Sequence, residues 1–198
     1  MKHTVEQRKM GEFARFVQGV NPTRIEKKLV IKSEDYYDQN AFDYDFNGDS
    51  ELEVTVVSGN YYDEFILAEG DVVINNRLQL ATLVSEKNVG KVYSLNFTKV
   101  MLQSGLNKKY FLYVFNAYTD VKRQKNRETQ GTGVLSASPR LSNKALGELV
   151  IPVPLLEVQS EIGEAYFESV RLKRKLDRYG QLIEKLTAGL LEGRLQGM

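Results

Sequence analysis

Ile151-Pro152-Val153-Pro154-Leu155-Leu156-Glu157-Val158-Gln159 opens the stretch around which this chain is organised, and a charged segment follows it to Leu195. Two prolines at alternate positions fix φ and remove two backbone donors, so the opening is an extended strap that ends the globular part. No proline occurs after Pro154. From Ile162 the apolar residues fall on a heptad. Ile162, Leu176, Ile183 and Leu190 take one seam position and Ala165, Leu172, Tyr179 and Leu186 the other, with Ser169 the polar exception. Heptads sustained in this way, with Glu, Lys and Arg between them, predict a coiled-coil helix that needs a partner helix. The partner expected is another chain or a second copy of this one. Such a helix spans on the order of 55–60 Å, with Gly180 and Gly189 as candidate bends.

The fold expected is α+β: a globular α/β domain over 1–150, then the strap and one long coiled-coil helix over 151–198. Net charge is +1 across 198 residues, cysteine is absent and His3 is the single histidine. Those counts exclude disulfides, thiolate metal sites, cysteine nucleophiles and histidine-based catalytic pairs. Gly131-Thr132-Gly133 lacks the trailing glycine and lysine of a phosphate-binding loop. Carboxylates are plentiful, yet no pair of them is singled out, so the chain reads as non-enzymatic and without a cofactor of its own. With no apolar run of membrane-spanning length and no apolar signal-peptide core, a soluble cytoplasmic protein is expected.

Along the domain, Met10 to Val17 reads as a short helix or strand before the turn at Gly19 and Asn21-Pro22. Strands are expected at Leu29 to Ile31, Leu52 to Val57, Asp71 to Arg77, Leu80 to Val84, Lys91 to Leu95 and Phe97 to Leu102. Asn107 starts one helix with Phe111, Val114, Phe115, Tyr118 and Val121 at helical spacing, ending in the basic run Lys122 to Arg127. Ser142 caps a short helix, Asn143 to Gly147.

Charge divides the domain. From Glu34 to Asn76 there are twelve acidic residues and no basic one. Asp43, Asp45, Asn47, Gly48 and Asp49 do not match a calcium loop, so a solvated acidic face is expected. From Lys99 to Lys144 nine basic residues face only Asp120 and Glu128. Lys108, Lys109, Lys122, Arg123, Lys125, Arg127, Arg140 and Lys144 are therefore candidate phosphate contacts. For Lys122 to Arg127, cations that complement a helix dipole fit equally well. Asn75, Asn76, Arg77 and Gln79 bring together the side chains that read base edges. Taken alone, the same cluster reads first as a hairpin turn with exposed polar groups.

The strap and helix resemble the conserved region of the specificity subunits of type I restriction–modification enzymes. Leu141-Ser142, Leu146, Leu149, Ile151-Pro152-Val153-Pro154, Leu156-Glu157, Gln159 and Ile162 carry the likeness. Gly11-Glu12 to Gly19, Gly70 to Ile74 with Arg77, and Tyr110 to Tyr113 extend it upstream. Leu155 and Val158 depart from the usual proline and acidic residue. Family members hold two recognition domains and two long helices, so this chain looks like a half-size subunit. The resemblance implies an α/β target-recognition domain that reads double-stranded DNA, and a helix that spaces two such domains as a homodimer. It also implies docking on methyltransferase subunits, which would supply S-adenosylmethionine and the catalysis. The competing reading is a coiled-coil adaptor that docks on methyltransferase subunits and does not touch DNA.

Overall fold

The fold is described from a computed structural model over residues 5–21, 36–47, 63–130 and 140–196. The strands expected at Leu29 to Ile31 and Leu52 to Val57, Gly48-Asp49 and Gly131 to Gly133 lie outside the described residues. The chain folds as mixed α and β with a long C-terminal helix, as the patterning predicts.

At the centre is a four-stranded antiparallel sheet in the order β2 (Ala14–Gln18), β7 (Phe97–Leu102), β4 (Val72–Asn75), β5 (Leu80–Leu83). Every residue of β4 is buried, so its pleat feeds two cores at once. Val72 and Ile74 join Ala81, Leu83 and Val100 in a core closed by helix α2 (Lys108–Asn116), through Phe111, Leu112 and Phe115. Val73 enters the second core with Tyr37, Phe42, Tyr93 and Phe97. That core is covered by helix α1 (Gln39–Asn47) and by a parallel pair, β3 (Tyr36–Tyr37) with β6 (Val92–Tyr93). Met10–Glu12 forms a single 3-10 turn, and strand β2 follows it.

Helix α1 keeps Asp38 and Asp43 on the solvated acidic face and corrects that expectation at Asp45. Asp38 Oδ1 accepts from Ala41 N at 2.8 Å, which starts a helix inside the acidic run. Ala41, Phe42 and Asp45 then face inward. Asp45 is 6 % exposed and accepts from Tyr37 Oη (2.7 Å), Ser85 Oγ (2.5 Å) and Asn88 Nδ2 (2.8 Å). Burial outweighs those bonds and holds its carboxyl above the ordinary range.

The single helix expected from Asn107 is two helices. Asn107 caps α2 by accepting from Lys109 N and Tyr110 N. At Ala117 the backbone leaves the helical region, and α3 (Thr119–Gln130) begins with Lys122 N donating to Tyr118 O at 3.1 Å. The break aims α3 afresh: Val121 packs in the first core and Lys125 is buried beside the turn after β4.

Ser142 Oγ accepts from Ala145 N at 3.1 Å and caps helix α4 (Asn143–Glu148), which runs one residue beyond its expected end. The strap is strand β8 (Val150–Val153), antiparallel to β1 (Glu6–Lys9) with Pro152 opposite Gln7, so it is part of the globular framework. Helix α5 (Leu156–Gln196) follows and continues through Gly180 and Gly189. Gln159, 1 % exposed, pins its first turn: Oε1 accepts from Asn107 N (2.9 Å), and Nε2 donates to Gly105 O (3.0 Å) and Pro154 O (2.9 Å). Four residues on, Gly163 lets α5 cross α2 at close range, because a Cβ there would lie 2.6 Å from Tyr110 N.

This crossing corrects the start of the seam. Ile162, with Tyr166 and Phe167, packs against the first core of its own domain, and so is not available to a partner helix. Ala165 is exposed beside it. Leu172, Leu176, Tyr179, Ile183, Leu186 and Leu190 are 60–65 % exposed and keep the heptad spacing. Among the described residues no helix is long and apolar enough to cross a membrane.

Candidate nucleic-acid interface

The turn joining β4 to β5 is built by its own amides. Asn75 is 1 % exposed; its Oδ1 accepts from Arg77 N and Leu78 N, both at 3.0 Å, and its Nδ2 donates to Gln39 Oε1 at 2.9 Å. Asn76, 4 % exposed, donates to Leu95 O (3.2 Å) and accepts from Thr98 Oγ1 (2.9 Å). Gln79 carries φ 54°, and its N donates to Asn75 O at 2.8 Å. Asn75 and Asn76 are therefore corrected from base readers to turn builders: a short amide satisfies backbone groups that a tight turn leaves orphaned. Of the four residues that the sequence brings together in this turn, Arg77 is the one that stands exposed.

Beside it opens a cleft of about 630 Å³, lined by Arg77, Arg140, Gln39, Asn96, Asp38 and Tyr36 among others. Arg140 donates to Asn96 Oδ1 at 2.9 Å, which orients the guanidinium over the cleft. Gln39 and Asn96 escape sequence reasoning. Gln39 sits in the acidic run, and Asn96 in a turn whose partner strand is far away in sequence. The signal that could have found Gln39 is the Asp38 cap with Ala41 three residues later, which puts Gln39 in the first turn of a helix. Gln39 is held at both ends of its amide, Oε1 accepting from Asn75 and Nε2 donating to Asp43 Oδ1 at 2.7 Å, and Asp38 caps Ala41. The two guanidiniums are therefore the cleft's groups suited to base edges in a major groove.

The cations divide into two groups. Lys125 is 4 % exposed; its Nζ donates to Gln79 O (2.8 Å) and Phe115 O (2.7 Å) and lies 4.1 Å from the centre of the Phe115 ring. Burial, then the charge of Lys122, pushes its pKa down to about 8. This position is corrected from phosphate contact to internal strut, because the ammonium is turned away from solvent. Lys108 donates to Gly70 O at 2.7 Å, and Lys109 pairs with Glu164 of α5 at 2.5 Å over the Phe167 ring, so both tie elements together. Lys122, Arg123 and Arg127 stand exposed on α3 and Lys144 on α4, with Arg123 also reaching Asp120 at 3.1 Å. The turn after β4 is joined to Asn96 through Asn76 N (2.9 Å) and to α3 through Lys125.

A family model, the type I restriction modification DNA specificity domain, matches residues 2–184. The chain belongs to that family. No match was found among curated proteins. Among solved structures, a chain of a type I R-M system described by its complex assembly and conformational transition is 18 % identical, with a TM-score of 0.56 over 97 % of this chain and 44 % of that one. The HsdS subunit of Thermoanaerobacter tengcongensis is 16 % identical, with a TM-score of 0.51 over 91 % of this chain and 41 % of its own. The S subunit of a type I system from M. genitalium is 18 % identical, with a TM-score of 0.54 over 94 % and 44 %. At these identities the likeness is one of fold, and this chain spans about two-fifths of those lengths (41–44 %). In this specificity domain the motif residues have physical roles. Leu146, Leu149 and Ile151 are core, Gln159 fixes the helix start, and Tyr110 Oη donates to Pro152 O at 2.8 Å, holding the strap.

Proposed function

We propose that this specificity domain reads one half of a bipartite DNA target for a type I restriction–modification system and directs methyltransferase subunits to it. The observation that carries the reading is the convergence of Arg77, Arg140, Gln39 and Asn96 on one open cleft, on a turn that Lys125 ties to the cationic helix α3. In this reading Arg77 and Arg140 take base edges, while Gln39 and Asn96 hold the cleft in shape through Asn75, Asp43 and Arg140. Lys122, Arg123, Arg127 and Lys144 take phosphates, which carry affinity without sequence information. Residues 1–150 do the reading, and 151–198 supply the strap and spacer. The open seam from Leu172 to Leu190 pairs with a second copy. Catalysis and S-adenosylmethionine belong to the methyltransferase, and the assembly works in the cytoplasm.

DNA binding by the chain, alone or with methyltransferase subunits, tests this. Replacing Lys122, Arg123 and Arg127 by Ala should weaken binding to all sequences alike and flatten the salt dependence, by roughly one unit of slope for each phosphate no longer neutralised. Arg77→Ala or Arg140→Ala should instead relax discrimination at one position by about 1–3 kcal/mol. Binding that neither set changes would favour the adaptor reading.

A further inference from the structure

Lys125 is an unusual choice for an interior. Burying an ammonium costs desolvation that an apolar side chain of similar length avoids, so packing alone does not explain it. What the ammonium does is specific. It joins the carbonyl of Gln79, the residue that closes the turn after β4, to the carbonyl of Phe115 at the end of α2. Gln79 has a left-handed backbone (φ 54°), which a residue with a Cβ adopts at a cost unless its neighbours hold it there. On the opposite side Asn75 holds the backbone N of Arg77 and Leu78 and is itself held by Gln39. Arg77 is thus presented on a turn clamped at both ends. One clamp belongs to the helix that also carries Lys122, Arg123 and Arg127.

We propose that Lys125 is a positioning residue. It fixes the β4–β5 turn, and with it Arg77, to the helix whose exposed cations meet the DNA backbone. Phosphate contacts made by α3 then set where Arg77 meets a base edge, and discrimination depends on a side chain that never touches DNA. This rests on the DNA-reading role proposed above for the cleft and α3.

The test uses Lys125→Met, which keeps an unbranched chain as far as the ε position and removes the donors. A duplex preferred by wild type is first selected from a pool of randomised duplexes, and a scrambled duplex of equal length is the reference. The expected result is a fall of about tenfold or more in the preferred-to-scrambled affinity ratio, on the scale of the discrimination that one base pair supplies. The salt dependence on scrambled DNA should keep its wild-type slope, whereas Lys122→Ala should lower it by about one unit. Adding Arg77→Ala to Lys125→Met should cost little more, since both act on the same base edge. Lys125→Gln, which keeps a donor, should recover part of the ratio. It is also the deciding variant where the Met form does not fold. An unchanged ratio overturns the proposal, as does a slope reduced by about one, which would make Lys125 a phosphate ligand. Loss of folding in both variants also overturns it, leaving Lys125 a folding residue only. Wild type that selects no sequence at all rejects the DNA-reading role itself, an outcome distinct from these.

Discussion

A buried ammonium also leaves a mark on stability that can be measured without DNA. Lys125 has a folded-state pKa of about 8, set by burial and then by Lys122, against an ordinary value of 10.5. Between those values the unfolded chain binds more protons at this site than the folded chain, so stability rises with pH there. Below the folded value the cost of the buried charge is present in full. Met at this position does not titrate. The unfolding free energy of wild type minus that of Lys125→Met should therefore grow by roughly 2 kcal/mol from pH 7 to pH 9.5. The window stops short of the buried phenols. Tyr110, raised to about 12, and Tyr93, raised further, contribute stability that is lost only above their unfolded value near 10. Denaturant titrations of both proteins across that range provide the check. A flat difference would mean that the ammonium is solvated, and the clamp on Gln79 with it.

Between elements, the decisive contact is the crossing of α5 over α2. A Cβ at Gly163 would meet Tyr110 N at 2.6 Å and the Lys109 carbonyl carbon at 2.9 Å, backbone atoms that cannot swing aside. Gly163→Ala should destabilise the fold by about 1–3 kcal/mol through overpacking, against the helix propensity gained. Gly180→Ala, where a Cβ meets nothing within 4 Å, should shift the melting temperature upward instead. Equal upward shifts in both variants would refute the crossing. The same crossing marks how far the fold is legible in the sequence. Periodicity exposes the long helix, the two prolines the strap, and Ser142 its cap, because each is a local rule. Ile162 satisfies the same heptad as Leu176, yet belongs to the domain core; which surface a helix face meets is a tertiary fact. Helix α1 stays hidden because its inward residues, Ala41, Phe42 and Asp45, include a carboxylate, and the charge of the acidic run masks their spacing. Asn75 looks like a base reader for the chemistry that makes it a turn builder: its amide is the same, and only the fold says which groups it faces. Arg77 and Arg140 lie 63 positions apart, and nothing local joins them to one cleft.

At the scale of the whole molecule, the pairing proposed for the open half of the seam would set both symmetry and spacing. The six heptad residues from Leu172 to Leu190 are 60–65 % exposed, a stripe that a second α5 would cover. Two copies paired antiparallel are related by a two-fold axis, which places one reading cleft at each end. The DNA target must then consist of identical half-sites in inverted orientation around a gap. The ruler is shorter than the helix, because Ile162, Tyr166 and Phe167 lie on their own domain. About 25 residues from Leu172 onward are left to separate the domains, or roughly 35–40 Å at 1.5 Å per residue. Along B-form DNA that is about 11 base pairs at 3.4 Å each, less whatever the footprints occupy. Charged residues at Leu176 and Ile183 should give monomers by sedimentation at micromolar concentration and abolish selection of a two-part site. Deleting the seven residues 176–182 keeps the heptad phase and removes about 10 Å, so the preferred gap should contract by about three base pairs. Mapping the bound or methylated motif with this chain as the sole specificity chain decides the matter. An asymmetric motif rejects the homodimer. A symmetric one whose gap ignores the deletion means that the half-sites are spaced by something other than α5.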